Sequence, residues 1–307
     1  MRAKVIINPR SRRRGLTQIE SDLRRLLRGH SLDIERTQYR GHAVHIARVA
    51  AADGYDRLIV AGGDGTINEA LNGLVGSNMA LGVIPAGTAN DLATHYGLPH
   101  NTRKACRIIS AGHIRRADLI RVNGWYYATV GGVALPSDVI AKAQQIRSWR
   151  FIGRVLPRVL GSQLYALSLA LTFNRSCQRT SKLVLTSGGR KMYVDAFSLT
   201  VANQPLLGRR FIVSPEAATD DGLLDVYIIA NNCSRFARWQ TVIATTRGKQ
   251  HNRVNVTMLQ APGLTIESSH PVTFFGDGEL LLTGSRFKVE VIPNAVSILA
   301  PANREEK

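Results

Sequence analysis

The sequence predicts two folds in succession: an α/β domain on a parallel sheet, then a mostly antiparallel β domain. Three observations carry this. Short apolar runs alternate with helical patterns through the first third, strand patterns dominate after residue 120, and two glycine-rich strand-to-helix turns lie some twenty residues apart. Alternation of strand and helix implies parallel strands covered on both faces.

Each element has its own signal. KVIIN (4–8) is a buried strand, IESDLRRLL (19–27) a helix, LDIERT (32–37) a second strand and AVHIARVAA (43–51) a second helix. RLIVAGG (57–63) is a strand ending in glycines, INEALNGLV (67–75) a helix, LGVIPAG (81–87) a strand and TRKACRIISAG (102–112) a helix stopped by glycine. From ADLIRVNGWYYATVGG (117–132) strands take over. SKLVLTSGGRKMYVDAFSLTVAN (181–203) reads as a hairpin turning at Ser-Gly-Gly. LLDVYII, RVNVTML, LTIESS, VTFF and FKVEVI follow as strands, with one helix near 234–248. The expected domains are 1–124 and 125–290, with 291–307, including VSILAP, a candidate to return to the first.

The chain has 307 residues, 44% hydrophobic and 20% charged, enough for substantial cores. Forty Lys and Arg against 22 Asp and Glu leave a net charge of +18. That field favours nucleic acid, an anionic membrane surface or phosphorylated small molecules. Cys106, Cys177 and Cys233, three and widely spaced, form neither a disulfide framework nor a zinc pattern, and imply a reducing compartment. The opening MRAKVIINPRSRRRG holds no apolar run of signal-peptide length. VLGSQLYALSLALTF (159–173), broken at Gly161, Ser162 and Gln163, falls short of the ~20 apolar residues of a spanning helix. Membrane contact is therefore expected to be peripheral. His42 and His45 share a helix face without a carboxylate partner pattern and read as surface histidines.

The stretch VAGGDGTINEALNGL (60–74) concentrates the chemistry. Ile67, Ala70, Leu71, Leu74 and Val75 recur with helical period, so one face is buried and the helix start points out of the strand ends. Gly62, Gly63 and Gly65 let a ligand approach the main chain, and the free amides of the helix start favour an anion. Neither a Walker lysine nor the GxGxxG spacing is present. An acid at the centre, Asp64, suits a magnesium ion, its water or a ligand hydroxyl. A tight turn with Asp64 as a helix cap explains the same residues equally well. VIPAGTANDLA (83–93) repeats the geometry, and VIINPRS (5–11) ends a third strand at Asn8-Pro9.

Together, GGDGTIN and PAGTAND resemble the catalytic domain of diacylglycerol kinases, sphingosine and ceramide kinases and bacterial YegS-like lipid kinases, and more distantly NAD kinases. EAATDDGLLDVYII (216–229) and FFGDGE (274–279) extend the resemblance across nearly the whole chain. It implies a nucleotide domain related to NAD kinase and 6-phosphofructokinase, a C-terminal β-sandwich, and an active site in the cleft between them. It implies ATP or GTP as donor and Mg2+ as cofactor. Asn8, Thr37, Gly62, Gly63, Asp64, Gly65, Thr66, Ile67, Asn68 and Thr88 would line the nucleotide site. Asp221, with the carbonyls of Ala218 and Leu223, would hold the metal. Glu279 would be the general base, with Asp277 orienting it or its metal. Taken alone, DDGLLDV and GDGE read as turns.

Two departures stand out. The first loop runs NPRSRRRG, with Arg12, Arg13 and Arg14 before a late Gly15, and GGVALPSDV (131–139) carries Val133, Ala134 and Pro136 where the family favours an aromatic, a glycine and an acid. In 141–161, Arg147, Arg150, Arg154 and Arg158 would form one helical stripe beside an apolar one, suiting an anionic bilayer or packing on the sandwich. The expectation is a lipid kinase acting on a diacylglycerol-like hydroxyl, cytoplasmic and peripheral to the inner membrane face, binding nucleotide and lipid and no nucleic acid. A kinase of a soluble hydroxyl compound, or a degenerate basic lipid- or nucleic-acid-binding protein, are the alternatives. Oligomeric state stays open, a dimer included.

Overall fold

A computed structural model describes residues 1–10, 16–87, 89–148, 163–179, 181–208 and 211–302. The chain divides into two compact units: Met1–Leu119 with Pro293–Lys307, and Ile120–Ile292.

The first unit is a parallel sheet. β1 (Arg2–Ile7) lies between β2 (Ser31–Arg36) and β3 (Arg57–Gly62), and β3 pairs with β4 (Ala80–Pro85). The far edge of β4 takes Ser297 and Ile298, from the end of the long strand β15 (Glu279–Leu299), again in parallel. α1 (Leu16–Leu26) and α5 (Thr102–Ala111) cover one face. Their Ile19, Leu23, Cys106 and Ile109 form one core with Val5, Ile7, Ile59 and Ile84. α2 (His42–Ala52) and α3 (Asp64–Leu74) pack against each other, and each also packs on the sheet, through β1 and β3 respectively. The helices meet at Gly73, where a side-chain Cβ would fall 2.5 Å from that of Ala47. β4, with every residue buried, shows why near-continuous apolar runs mark covered parallel strands.

The second unit is antiparallel. β5 (Ile114–Val122), which enters this unit at Ile120, turns at Asn123-Gly124, both with positive φ, into β6 (Trp125–Tyr127), and β7 (Val130–Ala134) follows. β8 (Lys182–Ser187) and β9 (Arg190–Ala202) form the expected hairpin, with Gly188 and Gly189 both at positive φ in its two-residue loop. β7 pairs with β9 and β14 (Gly263–Gly276), and β8 pairs with the same two strands, so the sheet curls back on itself. β12 (Leu224–Ala230) and β13 (Val256–Ala261) extend it from β9, leaving β13 at an edge. Between β9 and β12 lies a small separate pair, β10 (Leu206–Leu207) and β11 (Phe211–Ile212). Inside the curl, Tyr127, Leu199, Val226, Phe274 and Phe287 make the core.

Among the described residues, three α-helices belong to this unit: α6 (Leu135–Ser148), α7 (Gln163–Ser176) and α8 (Arg235–Thr245). Pro136 is the second residue of α6, where a missing amide costs no hydrogen bond. LTIESS and VTFF, expected as two strands, both lie in β14, and the expected strand FKVEVI runs on within β15 as far as Leu299. His42 is also not a surface residue: it is buried, stacked 4.6 Å from Tyr39, and its Nδ1 accepts from the Gln38 amide. No helix among the described residues is long and apolar enough to cross a membrane.

Candidate active site

In the first unit, three loops leave the C-terminal ends of adjacent parallel strands, the edge where open α/β sheets bind ligands. The glycine loop starts α3 earlier than its apolar periodicity suggests. Gly63 is extended (φ −98°, ψ −176°) and caps the helix, and Asp64 is its first residue. The first-turn amides of a helix have no intrahelical acceptor, and the helix dipole adds positive character there.

The second glycine loop lies directly against the first. A Cβ on Gly87 would sit 2.5 Å from the Gly63 Cα, and one on Gly63 would sit 3.1 Å from the Gly87 Cα. Asp64 locks this contact. One carboxylate oxygen accepts from the Asn90 amide at 2.8 Å and the other from the Asp91 amide at 2.7 Å. The acid is thus a helix cap, but for the neighbouring helix α4 (Asp91–His95) rather than for its own. Asn90, in the left-handed region at φ 54°, closes the loop by donating to the Gly87 carbonyl and accepting from the Gly87 amide.

Asn8 joins the same edge, its side-chain amide donating to the Thr66 hydroxyl at 2.7 Å while its Oδ1 accepts from the Arg10 amide. Thr37 follows β2, its amide on the Ile7 carbonyl. Asn8, Thr37 and Gly62 to Asn68 are therefore brought to one sheet edge. Within that set, Gly65 stands half-buried in the first turn of α3, whereas the Thr66, Ile67 and Asn68 side chains are buried, so Ile67 can offer a ligand only its main chain. Thr88, and the arginines Arg12 to Arg14, lie outside the described residues. Sequence reasoning missed Glu69, whose two oxygens accept from the Gly41 and Ala43 amides and cap α2. A glutamate inside a helical pattern carries no signal for that distant role.

In the second unit, β14 turns into β15 through Asp277-Gly278, both at positive φ, the Asp-Gly pattern of a tight hairpin. The Asp277 carboxylate accepts from the Thr129 amide and hydroxyl at 2.8 and 2.7 Å and from the Ala128 amide at 3.1 Å, and its own amide donates to Val130. The hairpin tip is thereby pinned to the β6–β7 connection. Gly132, at φ 146°, has the Leu199 carbonyl where a Cβ would stand, so only glycine lets β7 run so close to β9. Glu279 follows the tip, and Gln144 of α6 donates to its Oε2 at 2.9 Å. Tyr127, buried beneath, has its phenol pushed well up by burial and by the Asp277 charge. Gln144 is the second residue the sequence did not single out.

Ala218, Asp221 and Leu223 lie on the loop before β12, where exposed Asp221 accepts from the Leu223 amide. Asp225, two residues on, is buried, with Oδ1 accepting from the Gln260 side-chain amide and Oδ2 without a hydrogen-bond partner among the described residues. Burial pushes the Asp225 carboxyl upward, and the charges of Asp221 and Glu216 add to this. The Ser214 hydroxyl favours the charged form without completing a hydrogen bond. An acid-biased corner with oxygen donors alone fits a hard cation such as Mg2+. Among the described residues no three His, Cys, Asp or Glu side chains gather as a ligand set, so backbone carbonyls and water would supply most of the coordination.

Residues 2–122 match the Diacylglycerol kinase catalytic domain, and residues 159–300 the YegS C-terminal NAD kinase beta sandwich-like domain. A Diacylglycerol kinase of Bacillus subtilis is 30% identical over 293 residues, 91% of this chain and 89% of that protein. The chain belongs to the diacylglycerol kinase family. A second relative in this kinase family, "Probable lipid kinase YegS-like" of Yersinia enterocolitica, is 29% identical over 286 residues, covering 90% of each chain. The fold agrees: a diacylglycerol kinase crystal structure from Bacillus anthracis superposes with a TM-score of 0.76, at 23% identity, over 98% of this chain and 97% of that one. This diacylglycerol-kinase-family protein is thus a kinase, with the family's catalytic domain followed by its β-sandwich domain.

Proposed function

We propose that this kinase transfers the γ-phosphate of ATP or GTP to a hydroxyl of a diacylglycerol-like lipid, at the cytoplasmic face of an anionic membrane. The observation that carries the nucleotide half is the paired glycine turn, with Gly63 and Gly87 in main-chain contact and Asp64 holding them together. That arrangement fixes the α3 amides where a polyphosphate can be received without side chains in the way. The relatives' names support the lipid acceptor.

In the reaction, Glu279 accepts the proton of the lipid hydroxyl as its oxygen forms the new bond to phosphorus. The bond from phosphorus to the bridging oxygen breaks, and a nucleoside diphosphate leaves. A positioned carboxylate contributes about 10²–10⁴-fold to such a step. Gln144 orients Glu279, and Asp277 positions it through the hairpin. Asp221 and the carbonyls of Ala218 and Leu223 would hold Mg2+, which when bound neutralises charge close to the phosphoryl group.

The test is transfer from labelled nucleotide to a panel of lipids and to NAD, by wild type, Glu279→Gln and Asp64→Ala. Glu279→Gln should lose at least about 10²-fold in kcat with nucleotide affinity kept. Asp64→Ala should weaken nucleotide binding itself. Transfer to NAD alone, or equal turnover by the Gln variant, would refute the proposal.

A further inference from the structure

Helix α8 turns one face to the protein and leaves another uncovered. Arg238, Thr241, Val242 and Ala244 are buried, whereas Phe236, Trp239 and Ile243, at i, i+3 and i+7, are 68%, 36% and 41% exposed. Trp239 packs edge-to-face with Phe173, ring centres 4.9 Å apart, and stays partly open to solvent. The Ser234 side chain caps the helix, accepting from the Ala237 amide, so the face is held in place. Arg253 donates to Gln240 on the same helix, and the next residue, Val254, is fully exposed.

The segment that carries this stripe has charges of one sign. From Val226 to Ile266 the chain carries no Asp or Glu. Arg235, Arg247, Lys249 and Arg253 are all exposed there, and of the basic residues in the segment only Arg238 is turned inward. An apolar helical stripe with an indole at its centre, on a segment whose exposed charges are all basic, matches the interface of an anionic bilayer. A complementary protein surface would need a matching acidic rim, which a second copy of this basic segment does not offer.

We infer that α8 is a membrane-docking face, inserting Phe236, Trp239 and Ile243 among acyl chains while Arg235, Arg247, Lys249 and Arg253 meet anionic headgroups. This rests on the lipid-kinase reading for its purpose, not for its physics. It also names a surface different from the 141–161 arginine stripe, most of which lies outside the described residues.

Trp239 is the natural probe. In a Trp125→Phe, Trp149→Phe background it is the sole indole. Vesicles of phosphatidylglycerol with brominated acyl chains should shift its emission to the blue and quench it, whereas pure phosphatidylcholine should do so weakly. Phe236→Ser with Ile243→Ser, and separately Arg247→Gln with Lys249→Gln and Arg253→Gln, should each weaken vesicle binding by at least about tenfold, the second set chiefly at low salt. Circular dichroism confirms that each variant is folded, and turnover of diacylglycerol dispersed in detergent should stay near wild type. No quenching by anionic vesicles, vesicle binding unchanged in the serine variant, or a wild-type dimer that this variant dissolves would overturn the inference. Vesicle binding lost in the variants while no lipid is phosphorylated by wild type would leave the docking face standing and remove the lipid-kinase reading. Detergent turnover without vesicle binding does the reverse.

Discussion

Gly87 has main chain where any other residue would place its side chain. Its Cβ would sit 2.5 Å from the Gly63 Cα and 2.9 Å from the Asn90 Oδ1, atoms fixed by backbone and by Asp64. Gly87→Ala should therefore destabilise by about 1–3 kcal/mol, as overpacking does, and nucleotide affinity should fall with it. Ala at Gly76, open within 4 Å but at φ 83°, serves as a control for backbone strain alone. Thermal denaturation with and without nucleotide separates the two. Asp225 supplies a second test. Burial raises its carboxyl above the unfolded value, so its contribution is favourable below the unfolded pKa and is lost as pH rises through the folded one. Without Mg2+, Asp225→Asn should gain in Tm over wild type as pH rises from about 4 to about 7.5. If the corner holds a cation, added Mg2+ should narrow that gap by raising wild type more than the variant.

At the scale of elements, the tip between β14 and β15 carries the chemistry and the architecture together. Asp277→Ala strands the Ala128 and Thr129 amides and frees the hairpin tip. Removing a carboxylate from buried amides costs about 2 kcal/mol, and kcat should fall with little change in nucleotide affinity. A fall in nucleotide affinity instead would mean that Asp277 acts elsewhere. The same tip shows what the sequence discloses and what it hides. Asp-Gly before Glu279 announces a tight turn, and the alternation of apolar runs announces the parallel strands and the hairpin at Gly188-Gly189. The start of α3 was harder to place, because apolar period begins only at Ile67 while the helix begins at the polar, glycine-rich Asp64. β14 reads as two strands because a polar interruption, Ser268 to Pro271, breaks the pattern without ending the strand. Glu69 and Gln144 were invisible for another reason: their partners are distant in sequence, and a glutamate or glutamine on a helix is ordinary. The contact of Gly63 with Gly87 is of that kind too, since each motif shows its glycines but not that they touch.

At the scale of the molecule, the first unit is completed by the chain's last strand. Ile298, Leu299 and Ala300 are wholly buried, Ile298 lies opposite Leu81 in the parallel register, and the Asn294 amide donates to Asp118. A chain ending at Ile292 should lose hydrogen-exchange protection throughout β4, while β9 and β12 keep theirs. Loss of protection in both units together would show that they unfold as one. The net charge of +18 belongs to this scale as well. It draws anionic partners to the whole surface, and salt at about 1 M, where the Debye length is about 3 Å, should erase that general attraction first.

Asp64 makes the two glycine turns one part with two sequence addresses. Neither can be transplanted alone: a chimera that imports GGDG from a distant relative must bring the partner turn too, or the new acid will find no amides waiting at the right height. Variation tolerated in one motif is thereby rationed by the other, although twenty-odd residues of strand and helix stand between them.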